Sequence, residues 1–169
     1  MKIVPEKPSL ERILLAEQLK FYRLQRHDFL NHWQVIMGYL QLNKVDKALL
    51  YMQEGIAGLE TEQLIGQIPQ EIVVSILLGF VIPLRTEGIL VELELENNLK
   101  KEDFWREFWQ EEYGELLYGY TKECLATILE LYKGLEIAIV ELKLKAGEDF
   151  CSISLLDDDT LIWSGSLKF

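Results

Sequence analysis

No proline interrupts the chain from Leu10 to Leu42, and apolar side chains recur there at helical spacing. At 1.5 Å per residue such a run makes a helix approaching ~50 Å, longer than the core of a small domain requires. Ser9 follows Pro8 and precedes Leu10 and Glu11, a pattern that caps a helix start, and Asn43 suits a left-handed ending. With Tyr22 as the reference direction and about 100° per residue, Leu15, Leu19, Phe29, Trp33, Ile36 and Leu40 cluster around zero. A second helix is expected over Val45–Thr61, where Val45, Leu49, Met52, Ile56 and Leu59 alternate in steps of four and three. Gly55 and Gly58 weaken it locally and permit a close backbone approach. Two such helices joined by a short turn form an antiparallel hairpin. One hairpin leaves much of its apolar stripe bare, whereas two copies about a twofold axis bury it in a four-helix bundle. The competing cover is the second half of the same chain, and the paired stripes favour the homodimer.

The opposite face of the long helix is polar. His27 falls at about 140° on the same wheel, beside Arg23, Asn31, Gln34 and Gly38. A core histidine belongs on the buried side, so this one is presented to something outside. An exposed imidazole offers a neutral ring nitrogen as a nucleophile near neutral pH. Phosphoryl transfer needs little more from a protein than in-line positioning and charge neutralisation. Arg23 and Arg26 lie close enough to neutralise a phosphate or a partner carboxylate, and Asn31, at i+4, can reach the ring or an incoming group. Asp28 and His32, also four apart, make half a metal site without a local third ligand, so no metal is expected.

Residues 63–69, with Gly66 and Pro69, read as a linker between a hairpin domain (1–62) and a second domain (70–169). Beyond it, Gln70–Arg85 reads as an apolar helix and Ile89–Glu96 as a strand with Ile89, Val91, Leu93 and Leu95 on one face. Glu102–Lys133 reads as helical with a break near Gly114–Gly119, its aromatic residues forming core. Leu135–Lys145, Phe150–Leu156 and Leu161–Phe169 read as strands, with Gly147 and Asp157–Asp159 in the turns. The whole is an α+β chain whose second part is a small α/β domain of order α-β-α-β-β-β.

The net charge of −11 opposes a generic nucleic-acid binder. It is unevenly spread: residues 1–47 carry +3 and the remainder −14. A mildly basic His27 segment can steer an acidic partner. Cys124 and Cys151 form no C-x-x-C pair and fit a reduced cytoplasmic protein with two buried thiols, a disulfide being left open. Met1–Leu10 is polar with two prolines and reads as no secretory signal, and Ile72–Leu84 is too short to span a bilayer. A soluble cytoplasmic protein with no membrane partner is expected.

Arg26-His27-Asp28-Phe29-Leu30-Asn31-His32-Trp33-Gln34-Val35-Ile36, then Gly38-Tyr39-Leu40-Gln41-Leu42, resembles the phosphoacceptor helix of the sporulation phosphotransferase B family. It is also similar to the dimerisation helices of citrate- and malate-type sensor histidine kinases. Both share an R-H-D-aromatic-x-N core, a G-x-L-Q-L tail and a second helix opening near D-x-A, here Asp46-Lys47-Ala48. The likeness is specific over residues 22–50, looser over Ile68–Glu96 and topological beyond. It implies that His27 is the phosphorylated residue, with Arg26, Asp28 and Asn31 as motif neighbours.

A working kinase of this type binds ATP through an asparagine-bearing helix and glycine-rich loops. Glu102–Lys133 contains no asparagine, and Asp157-Asp158-Asp159 runs into Thr160 without the glycines of a D-x-G-x-G loop. The second half thus resembles a degenerate histidine-kinase ATPase domain. The resemblance then implies a phosphorelay enzyme that moves a phosphoryl group from the aspartate of one response regulator to His27 and on to a second regulator, in sporulation. It implies no cofactor of its own, with magnesium supplied by the receiver domain. The rivals are the cytosolic part of a sensor kinase and a non-catalytic dimeric adaptor.

Overall fold

The computed structural model of the protein describes residues 7–169; residues 1–6, where the polar opening segment begins, lie outside the described residues. Helix α1 spans Leu10–Gln41. Its first turn is capped as the sequence suggests, the Arg12 amide donating to Ser9 Oγ at 3.4 Å. Beyond its C-cap Leu42 comes Asn43, whose φ of 56° is left-handed, and the chain doubles back into α2, Val45–Ala57. The hairpin is pinned by Ala48, fully buried at the crossing, and by the Tyr51 hydroxyl, which lies 2.7 Å from His32 Nδ1.

The second helix is shorter than expected. It stops at Ala57, four residues before Thr61, and α3 follows over Glu60–Ile65. Tertiary contacts explain the break. Thr61 Oγ1 donates to the Val91 carbonyl at 2.7 Å, Glu62 pairs with Arg85, and Ile65 and Ile68 enter the core. The stretch read as a linker therefore holds the end of α3 and two buried side chains. A Cβ at Gly55 meets nothing within 4 Å and one at Gly58 meets only its own helix, so neither glycine serves a close approach within the chain.

The remaining elements are α4 (Glu71–Thr86), β1 (Leu90–Leu95), α5 (Glu102–Phe108), α6 (Glu111–Leu131), β2 (Ala138–Leu144), β3 (Cys151–Asp157) and β4 (Thr160–Leu167). The strands form one sheet in the order β1-β2-β3-β4. β1 runs parallel to β2, as the crossover through α5 and α6 requires, and the other pairs are antiparallel hairpins. Inward residues of β2 and β3 (Val140, Leu142, Leu144, Ile153, Leu155) join Leu77, Phe80 and Leu84 of α4 and Leu117 and Ile128 of α6 in one core.

Glycine misplaces the helix break in the sequence reading. Helix α6 runs through Gly114 and Gly119; the break is at Trp109–Gln110, both extended. Gly114 is a packing position, since a Cβ there would come within 3.0 Å of Leu10 and 3.3 Å of Ile72. The break lets α5 serve another surface. Phe108 stacks on Phe150 at 5.7 Å and Trp105 Nε1 donates to the Leu99 carbonyl at 2.7 Å, contacts off the line of α6. Tyr113 stacks on Phe169 at 4.2 Å, which ties the end of the chain to the same aromatic cluster.

Candidate functional site

Helix α1 has two parts with different surroundings. Its first third is seated on the sheet domain. Leu14 is buried, Gln18 Nε2 donates to the Ser75 carbonyl at 3.2 Å, and Glu17 pairs with Lys122 at 2.8 Å while accepting from Tyr118 at 3.0 Å. Burial and the Glu17 carboxylate together push the Tyr118 hydroxyl up to about 12. From Tyr22 to Ala57 the hairpin projects with Ala48 as its one buried residue. Glu17 thus anchors the rod, and His27 rides on it ten residues, or about 15 Å, further along.

The His27 side chain is 76% exposed. Its Nδ1 lies 3.2 Å from the Asn31 carboxamide nitrogen and 3.8 Å from Asp28 Oδ1. No described residue engages Nε2. Arg23, Arg26 and Gln34 are exposed, and neither arginine makes an ion pair among the described residues. At Gly38, about 16 Å farther along the same face, a Cβ would meet nothing within 4 Å, so that end of the face is open too. Of the residues singled out in the sequence, the fold brings His27, Asp28 and Asn31 into contact. It leaves Arg23, Arg26 and Gln34 without side-chain hydrogen bonds or ion pairs among the described residues, and Gly38 with open space. Neither groove described, at the start of α1 and α6 or beside β1, is lined by His27 or its neighbours. Such an open face suits a nucleophile offered to a macromolecular partner.

His32 has a different task. Its bond to Tyr51 crosses from α1 to α2, and Tyr51 packs on Tyr39 with ring centroids 6.3 Å apart. Sequence alone does not signal the pairing, because Tyr51 lies off the apolar pattern of α2. Nor does it signal the Glu17–Lys122–Tyr118 joint, since 101 residues separate Glu17 from Tyr118.

Other polar groups are accounted for structurally. Asp157 Oδ1 accepts from the Glu136 and Ile137 amides at 3.1 and 2.9 Å, and Asp158 takes a left-handed φ of 54°. The triple aspartate is turn chemistry. Glu96, the last residue of the stretch expected as strand, lies past the strand end and accepts from the Ala146 amide at 2.8 Å. A groove of about 660 Å³ at the start of α1 and α6 is lined by Glu11, Glu111, Glu112 and Glu115 around Trp109. Glu11, Glu111 and Glu112 sit in first helical turns, where their charge complements the positive end of the helix dipoles. Both cysteines are free and buried; burial raises the Cys124 thiol to about 11 and the Cys151 thiol still further. No helix among the described residues is long and apolar enough to cross a membrane.

Residues 11–68 match the sequence family described as the sensor kinase SpoOB-type, alpha-helical domain. The matched segment runs from the first turn of α1 through α2 and α3 to Ile68, and it contains every candidate residue around His27. The match likens this segment, about a third of the chain, to the helical domain of SpoOB-type sensor kinases. A search of curated proteins finds no match.

Proposed function

With residues 11–68 matched to the SpoOB-type alpha-helical domain, we propose that the protein is a histidine phosphotransferase of a two-component phosphorelay. The observation that carries the reading is the exposure of His27, inside the matched segment, on an open helix face with Nδ1 engaged and Nε2 free. A receiver domain phosphorylated on aspartate docks along this face. His27 attacks the phosphorus in line, Arg23 and Arg26 neutralise the developing charge, and the group passes to the aspartate of a second receiver. Asp28 puts one carboxylate beside the ring, too few oxygens to hold magnesium, so the metal comes with the receiver. Sporulation is the setting we infer from the family.

The bare stripe gives the proposal its second part. Of the 22 large apolar side chains that are exposed among the described residues, 16 lie between Leu15 and Leu59. Two hairpins packed into a four-helix bundle would cover Phe29, Trp33, Leu40, Leu49 and Ile56 while leaving His27 outside. The sheet domain is read as a kinase-like fold without nucleotide chemistry. Its element order supports the likeness, and the use of Asp157 as a turn cap supports the loss.

The experiment is transfer of labelled phosphate between two receivers with and without the protein, alongside incubation with Mg-ATP alone. Label is expected from the receiver and not from ATP. The family description names a sensor kinase, which favours a second reading: autophosphorylation of His27 from ATP at micromolar affinity would establish that reading in place of ours.

A further inference from the structure

We propose that the open face of the sheet is a docking surface for a basic amphipathic helix of a partner protein. Helices α4 and α6 cover the other face, which carries Val140, Leu142, Ile153 and Leu155. On the open face the strand register builds one apolar row. Leu90 of β1 lies beside Ile139 of β2, Ile139 beside Leu156 of β3, and Leu156 beside Leu161 of β4. These side chains point away from the core, because their strand neighbours Val91, Val140 and Leu155 are the buried ones. The row crosses the whole sheet, and its ends, Leu90 and Leu161, are 56% and 60% exposed. Ile137, 54% exposed, widens it on one side. On the other side the next row is hydrophilic: Glu92, Glu141, Ser154 and Ser164. An apolar row on a face otherwise made for water does nothing for the core it turns away from, and it marks an interaction site.

The charges beside the row select the partner. Glu60 and Glu92 lie at the Leu90 end, where α3 and β1 enclose a groove of about 510 Å³. Glu136 adjoins Ile137, and Asp158, whose amide donates to the Ile137 carbonyl at 2.9 Å, leads through Asp159 to the Leu161 end. None of these five carboxylates makes an ion pair among the described residues. The cations nearby are engaged: Arg85 pairs with Glu62, and Lys143 with Glu94 and Glu141. An anionic surface is repelled here and lysine or arginine side chains are attracted. Spacing selects a helix. Adjacent strands stand about 4.8 Å apart, so the row repeats at that interval over about 14 Å. Apolar residues of an amphipathic helix recur about once per turn of about 5.4 Å. A helix laid across the strands sets one apolar side chain against each position of the row and carries its cations to the acids on both sides.

The test uses the full chain and a fluorescent synthetic peptide of about four helical turns, with leucine once per turn and lysine on both flanks. Anisotropy is expected to show binding and circular dichroism a gain of helix in the peptide. Leu90→Ser combined with Leu161→Ser removes two exposed side chains and is expected to weaken binding about tenfold, with an unchanged melting curve to show that the fold is kept. Glu92→Gln combined with Asp159→Asn is expected to weaken it a few-fold and to flatten its salt dependence. A scrambled peptide of the same composition is expected to bind weakly, and alike to all variants. Equal binding of the patterned peptide to the wild type and to the Leu90/Leu161 variant overturns the proposal, as does a scrambled peptide that binds as tightly as the patterned one. Self-association of the wild type that the Leu90/Leu161 variant loses, without peptide binding, would give the face to a second copy of this chain and also overturn it.

Discussion

The projecting hairpin and the sheet domain use apolar residues in opposite ways. In the sheet domain Phe80, Leu77, Leu142 and Ile153 are buried within the chain that carries them. In the hairpin Phe29, Trp33 and Leu40 are about half exposed, and Ala48 alone is buried between Tyr22 and Ala57. The first region folds on itself. The second leaves one apolar face bare and carries His27 on the other. On the proposed reading, stability and activity are carried by separate parts of the chain, joined at Glu17.

That separation can be broken most severely at His27. His27→Gln is expected to abolish phosphate uptake from a receiver, leaving the unfolding free energy within about 0.5 kcal/mol of wild type. His32→Gln is expected to keep the label, which is acid-labile and base-stable. Persistence of label in His27→Gln would place the acceptor elsewhere. Phe80→Ala attacks the other region. It empties a site that is 1% exposed and is expected to cost about 3–5 kcal/mol in denaturant unfolding. Phosphate uptake at a temperature where the variant remains folded should change little.

Trp33→Asp sharpens the contrast from within the hairpin. In one chain Trp33 is 49% exposed, so the folded monomer should tolerate the charge. In a four-helix bundle the same carboxylate would be buried without a partner, at a cost on the order of 3 kcal/mol or more. Light scattering is expected to show the wild type as a dimer and the variant shifted towards monomer; a wild-type monomer at micromolar concentration would remove the bundle.

The smallest expected effect is alkaline, and it belongs to the sheet domain. Burial raises the Cys124 thiol from 9.0 to about 11. Because the folded state favours the protonated thiol, this contribution to stability is complete below pH 9 and is lost as pH rises through about 11. Tyr118 acts in the same direction between 10.0 and about 12. The melting temperature should fall across this range, and thiol reagents should label the native protein slowly at pH 8.

Much of the hairpin was legible because its determinants are local. Proline-free length, the Ser9 cap and the left-handed Asn43 need no distant partner, and the helical wheel placed His27 away from Trp33 before any fold was considered. The strands were found within a few residues for the same reason, through alternation and turn residues. Errors arose where distant packing overrode local preference. Gly114 looked like a breaker and is a contact with Leu10 and Ile72; α2 looked four residues longer because Thr61 gave no sign of its bond to Val91.

The sequence alone determined which face of α1 is apolar, which histidine stands opposite it, and that the chain is α+β. Periodicity and capping act over one or two turns and leave their mark in the order of residues. Only the tertiary structure decided that α1 is seated through Glu17 on Tyr118 and Lys122, that Asn31 and Asp28 converge on one nitrogen of His27, and that His32 belongs to the crossing with Tyr51. Those features depend on rotamers and on residues far apart in the chain, whose meeting is fixed by how the helices pack.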